Sequence, residues 1–148
     1  MTPIIVTRKI NASMDVVFAT VSDIRQFSKA LPHVVTFEFL SVVNRGVGAR
    51  FRETRLVNGK EATTDLEITE YVENDRVRMV AESHGTVWDT LFTVTSEGGS
   101  TTLTTKMDAR ADKLLPRVMN PLIRGITAKA VERDMDLVKA FCESGQRE

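Results

Sequence analysis

ARFRETRLVNGKEATTDLEI, residues 49 to 68, decides the fold. Asn58-Gly59 lies between two strand-like runs, which is a strong short-range signal for a two-residue hairpin loop. Folding the runs about that pair sets Phe51 opposite Leu66 and Ala49 opposite Ile68 on one face. The other face receives Arg52 opposite Asp65 and Arg50 opposite Glu67. Cross-strand neighbours of this kind stabilise a pair when apolar meets apolar and opposite charges meet. Both faces satisfy that test, so the segment predicts an antiparallel ribbon with one apolar side.

The same test extends along the chain. A loop at Gly98-Gly99 sets Val94 beside Leu103, Phe92 beside Thr105 and Trp88 beside Ala109, with Thr93 and Thr104 paired outside. A loop at His84-Gly85 places Ala81 against Trp88, small against large. A two-residue loop at Asn74-Asp75 would oppose Glu67 and Glu82, so a bulge or a longer loop is expected there. Residues 33 to 110 thus read as strand after strand in an antiparallel meander.

The ends of the chain supply the rest. IIVTRKI, residues 4 to 10, reads as a strand. Asn11 to Ser13 offer caps for a short helix, MDVVFATVSD, with Val16, Val17 and Val21 on its buried side. A second short helix, DIRQFSKAL, stops at Pro32. In LLPRVMNPLIRGITAKAVERDMDLVKAF, residues 114 to 141, apolar positions Leu115, Val118, Met119, Leu122, Ile123 and Ile126 recur at helical spacing, followed by Val131, Met135, Val138 and Cys142. Pro121 removes a backbone donor, so a break is expected near Met119-Asn120. Either that break and Gly125 loosen an adjustable lid, or Pro121 opens a new helix capped by Asn120. A sheet with one apolar face needs a cover, and this tail provides it. The expected architecture is α+β: a curved antiparallel sheet of about seven strands wrapped around a long C-terminal helix, with two short helices after the first strand. This is a helix-grip arrangement.

Composition bounds the function. At 148 residues the chain is expected to form a single domain, 1 to 148. Lys+Arg 20 against Asp+Glu 20, with no long run of like charge, argues against nucleic acid. The single cysteine, Cys142, permits no internal disulfide, and no signal peptide or membrane span is apparent, so a cytoplasmic protein without stable membrane insertion is expected. His33 and His84 stand alone, and no metal site or cofactor is expected.

Strand parity nominates a cavity wall: Phe51, Glu53, Leu66, Met79 and Ala81 from the first strands of the meander, then Trp88, Thr90, Phe92, Thr105 and Met107. Met119, Leu122 and Ile126 are expected to face them from the helix. The alternative is that these side chains simply fill the core, and for any single Met or Phe among them that is the stronger expectation. Glu53 and Arg55 share the inward face, where a buried carboxylate requires a partner. Their place near the hairpin tip favours a wetted strand end instead.

INASMDVVFATVSDIRQFSKALPHV, GVGARFRETRLVNGKEATTDLEITEYVENDRV and ERDMDLVKAF together resemble the polyketide cyclase/dehydrase and lipid-transport family of the START-like (SRPBCC) superfamily. The resemblance runs through nearly the whole chain and rests on fold marks. It implies a deep apolar cavity between sheet and helix, and not one particular chemistry. The function expected is binding or transport of a hydrophobic small molecule, such as a lipid, a polyketide-like aromatic or a quinone, by a monomer or weak homodimer. No catalytic residue is assigned. Two rivals stay open: an aromatase/cyclase or dehydratase type of enzyme, and a protein-interaction module with a vestigial cavity.

Overall fold

The computed structural model of the chain describes residues 2–83, 85–111 and 121–145. Its elements are β1 (Ile4–Ile10), α1 (Met14–Ser22), α2 (Ile24–Ala30), β2 (Val34–Phe39), β3 (Arg50–Val57), β4 (Lys60–Val72), β5 (Arg76–Ser83), β6 (Thr86–Glu97), β7 (Ser100–Ala111) and α3 (Pro121–Ser144). The seven strands form one antiparallel sheet in the order β1-β7-β6-β5-β4-β3-β2, so every neighbour from β2 to β7 is also a neighbour in sequence. Only β1 pairs at long range, with Ile4 beside Met107 and Ile10 beside Thr101.

The hairpin read from residues 49 to 68 has the expected register: Phe51 faces Leu66, Arg52 faces Asp65 and Arg50 faces Glu67. Asn58 and Gly59 both take positive φ, as a type I′ loop demands. Arg52 Nε donates to Asp65 Oδ1 at 2.7 Å, an ion pair on the outer face. Phe92 pairs with Thr105, and Ala81 with Trp88. The awkward connection is resolved by two devices. A bulge lies between Ile68 and Glu70, and the turn at 73–75 has three residues, with Asn74 at φ 59°. Together they place Glu67 against Val80 rather than Glu82.

Both short helices are capped by their own side chains. Val16 N donates to Ser13 Oγ at 3.4 Å, and Arg25 N donates to Asp23 Oδ1 at 2.9 Å. Val17 and Val21 are fully buried, and Val16 is half-buried. Cys142 is buried too, its Sγ donating to Thr20 Oγ1.

The helix α3 begins at Pro121, which supplies the helical φ of a first turn without an unused donor. Its buried residues are Val131, Asp134, Met135, Val138 and Cys142. Leu122 and Ile126, read above as facing the sheet, instead face outward, at 73% and 62% exposure. The reason is helical phase. At about 100° per residue, Leu122 stands nine residues, or half a turn, out of phase with Val131, and Ile126 is nearly as far round. The helix carries two apolar stripes on opposite sides, and only the one through Val131, Met135 and Val138 is buried. Leu115, Val118, Met119 and Asn120 lie outside the described residues.

Candidate functional site

The helix α3 packs chiefly on β1 and leans on α1 and α2. At that end the interior is filled: Ile10, Val17, Leu103 and Val138 are all wholly buried. Strands β3 to β6 curve away from the helix, and the space left between them is a cavity of about 310 Å³. That volume sits at the lower end of the range of small-molecule pockets.

Period-two alternation aims alternate strand residues into this space. Phe51 and Glu53 enter from β3, Leu66 from β4, Met79 and Ala81 from β5. Trp88, Thr90 and Phe92 enter from β6, Thr105 and Met107 from β7. All ten strand positions singled out in the sequence therefore border the cavity. The helix contributes Thr127, Ala130, Val131, Asp134 and Met135, not Leu122 or Ile126. Thr127 is one turn before Val131, on the buried side of the helix, which is where a correct phase reading would have looked. Phe27 of α2 closes another side, edge-on to Phe92 with ring centroids 6.3 Å apart. The Thr105 hydroxyl donates to Met135 Sδ at 3.0 Å, tying β7 to α3.

One end of the cavity is charged. Glu53 is only 6% exposed, so it is not the wetted strand-end residue that its place near the hairpin suggests. Two neighbours keep water away: β2, whose Phe37 pairs with Glu53, and α3 across the cavity. Arg55 answers its charge, with Nε donating to Glu53 Oε1 at 2.8 Å and Nη1 donating to Asp134 Oδ2 at 2.7 Å. Burial alone would lower the Arg55 pKa, yet Glu53 and Asp134 together hold it above its ordinary value. The guanidinium is a fixed cation. His33 Nε2 lies 3.2 Å from Asp134 Oδ1 and 3.4 Å from Arg55 Nη1. His33, isolated in sequence, is thus brought to this cluster by the chain that leaves α2 for β2.

Sequence reasoning missed Asp134. The signal was present: it is three residues after Val131 and four before Val138, an acidic residue within an apolar stripe. Buried carboxylates are uncommon unless paired, so its position alone implied a cation across the interior. No group of three or more metal-ligating side chains occurs among the described residues. No helix among them is long and apolar enough to cross a membrane.

Residues 1–143 match the sequence profile described as polyketide cyclase / dehydrase and lipid transport. The chain belongs to this family. Solved structures share its START-like fold at low identity. A START superfamily protein from Mycobacterium smegmatis superposes with a TM-score of 0.79 at 15% identity, over 97% of this chain and 99% of that one. The di-domain ARO/CYC StfQ of the steffimycin biosynthetic pathway gives 0.75 at 13% identity, over 97% of this chain and 51% of that one. Major latex-like protein 151 from Panax ginseng gives 0.72 at 18% identity, over 93% and 96%. No curated protein sequence matches the chain. At such identities the superpositions establish the fold, and the family's helix-grip frame accounts for the sheet, the two short helices and α3.

Proposed function

We propose that this protein binds a hydrophobic small molecule, a lipid, polyketide-like aromatic or quinone, in the space between the sheet and α3. The observation that carries the reading is the cavity itself: about 310 Å³, walled largely by Phe, Leu, Met, Val and Trp side chains, with charged groups gathered at one end. Displacing water from such walls contributes about 25 cal/mol per Å² of apolar surface removed, enough for useful affinity with few polar contacts. The family match supports the same reading.

Native mass spectrometry of the protein purified from its host, compared with the denatured mass, tests it. A stoichiometric co-purified apolar molecule is the expected result. Trp88, the only tryptophan, borders the cavity, so its emission should shift when a ligand enters. Ala81→Phe, which pushes a ring into the cavity from β5, should abolish that shift while the fold persists. Retention of ligand by this variant would count against the site.

A second reading, a cyclase or dehydratase, draws on the ionisable groups Glu53 and Asp134 at the cavity wall, which are of the kind that move protons. Glu53→Gln distinguishes the two: turnover of a polyketide-like substrate lost with binding retained would favour catalysis.

A further inference from the structure

The polar side chains of the cavity wall are sorted by row. Across the sheet, Phe51, Leu66, Ala81 and Trp88 stand side by side on β3 to β6 and form an apolar row. The next inward row, nearer the β3–β4 loop, is polar. Glu53 stands beside Thr64, and the register that sets Leu66 beside Ala81, continued along both strands, brings Ser83 next to Thr64. All three border the cavity. Their oxygens are available to a ligand. Glu53 accepts from Arg55 at Oε1, while Oε2 takes no hydrogen bond among the described residues and keeps some accessible surface, although the residue is only 6% exposed. The Thr64 and Ser83 hydroxyls likewise make no side-chain hydrogen bond among the described residues. Other wall hydroxyls are engaged or stand apart: Thr105 donates to Met135, Thr127 donates to the Ile123 carbonyl, and Thr90 lies between Met79 and Met107. Beyond the polar row, Arg55 reaches Asp134 of α3, so a charged bridge from sheet to helix bounds this end.

Resting on the binding role proposed above, we infer that the cavity takes an aromatic ligand with hydroxyls in a 1,3 relation along one edge, one donating to Glu53 Oε2 and the next bonded to Thr64 or Ser83. The match is one of spacing. Adjacent strands lie about 4.8 Å apart, and two hydroxyl oxygens in a 1,3 relation on a benzene ring are separated by about the same distance. Vicinal hydroxyls stand too close together to serve two strands at once. The rest of the ligand extends over the apolar row, where Phe51, Leu66 and Trp88 remove it from water. A donor on a charged acceptor makes the stronger bond, so Glu53 is the anchor, and the hydroxyls of Thr64 and Ser83, which both donate and accept, read the second position. Thr64 and Ser83 are thus uncharged specificity-determining residues.

Matched probes with one side chain test this: propylbenzene, 3-propylphenol, 5-propylresorcinol and 4-propylcatechol, titrated at neutral pH by calorimetry. The phenol should bind about tenfold more tightly than propylbenzene, as expected for one hydrogen bond to a charged acceptor. The resorcinol should gain about a further three- to tenfold, while the catechol stays near the phenol. Thr64→Val combined with Ser83→Ala, which alters little besides the two hydroxyls, should bring the resorcinol down to the phenol. Catechol matching resorcinol, or a resorcinol advantage that survives in the double variant, overturns the inference. Equal binding of propylbenzene and the three hydroxylated probes also overturns it and leaves the apolar binding role intact. Failure of all four probes to bind removes both. Should the double variant not fold, the probe series on the unsubstituted protein still decides, because only the resorcinol places two hydroxyls at the spacing of the strands.

Discussion

The two ends of the interior are built on one sheet and roofed by one helix, yet one is filled and the other is hollow. Where β1 and β7 meet α1 and the second half of α3, side chains from both layers interlock, and Leu103 and Val138 are wholly buried. Where β3 to β6 face the earlier turns of α3, wall residues such as Leu66, Trp88 and Thr90 are only partly buried and border open space. The lesson is that apolar pattern specifies a face, while the separation between layers decides whether that face becomes core or pocket. Layer separation is set by curvature and helix placement, which arise from bulges and from a few long-range contacts.

The contrast is most directly broken by truncation at each end. Leu103→Ala should cost about 2 to 5 kcal/mol in urea denaturation, because it opens a void in close-packed surroundings. Leu66→Ala should cost no more than about half as much, since its neighbours already border a cavity. Equal losses would mean that the hollow end is collapsed in solution. Charge at the hollow end sharpens the same point. Arg55→Met leaves Glu53 and Asp134 uncompensated and should destabilise by about 3 kcal/mol. Replacing all three together, with Glu53→Leu, Arg55→Met and Asp134→Leu, should recover most of that loss and abolish any preference among polar ligand ends. The check is a denaturation midpoint beside a ligand titration.

The outer face supplies smaller effects that leave the cavity untouched. Glu70 accepts from Arg76 and Arg78, which hold its carboxyl below the ordinary value of 4.5. Because the folded pKa is depressed, this contribution is fully present above pH 4.5 and is lost as pH falls through the lower folded value. Glu70→Gln should therefore flatten the acid limb of a stability profile without changing ligand affinity. Least of all, Arg52→Ala should barely move the denaturation midpoint, since its pair with Asp65 is solvent-exposed and screened by salt.

How far residues could be read depended on whether their partners were near in sequence. The hairpin register from Arg50–Glu67 to Val57–Lys60 follows from one Asn-Gly turn, and so the inward aim of Phe51 and Glu53 was legible. The bulge after Ile68 was legible only as a misfit, because side-chain alternation reveals that a residue is extra without saying where it sits. Leu122 and Ile126 misled because apolar spacing was followed without keeping count of helical phase across the turns to Val131. The charged cluster was out of reach for another reason: Arg55 and Asp134 lie 79 positions apart, and only the fold brings them together.

The path of the first strand has a consequence for how the protein reaches this state. Strands β2 to β7 can zip as successive hairpins, each closing a short loop, but β1 must find β7 across most of the chain, with Thr7 and Thr104 being 97 positions apart. Such closure is entropically expensive and slow relative to local pairing. The strand that completes the sheet is also the principal seat of α3. Contact order therefore favours a meander that forms early and a roof that closes late, with the cavity's walls exposed to solvent until the two ends of the chain meet.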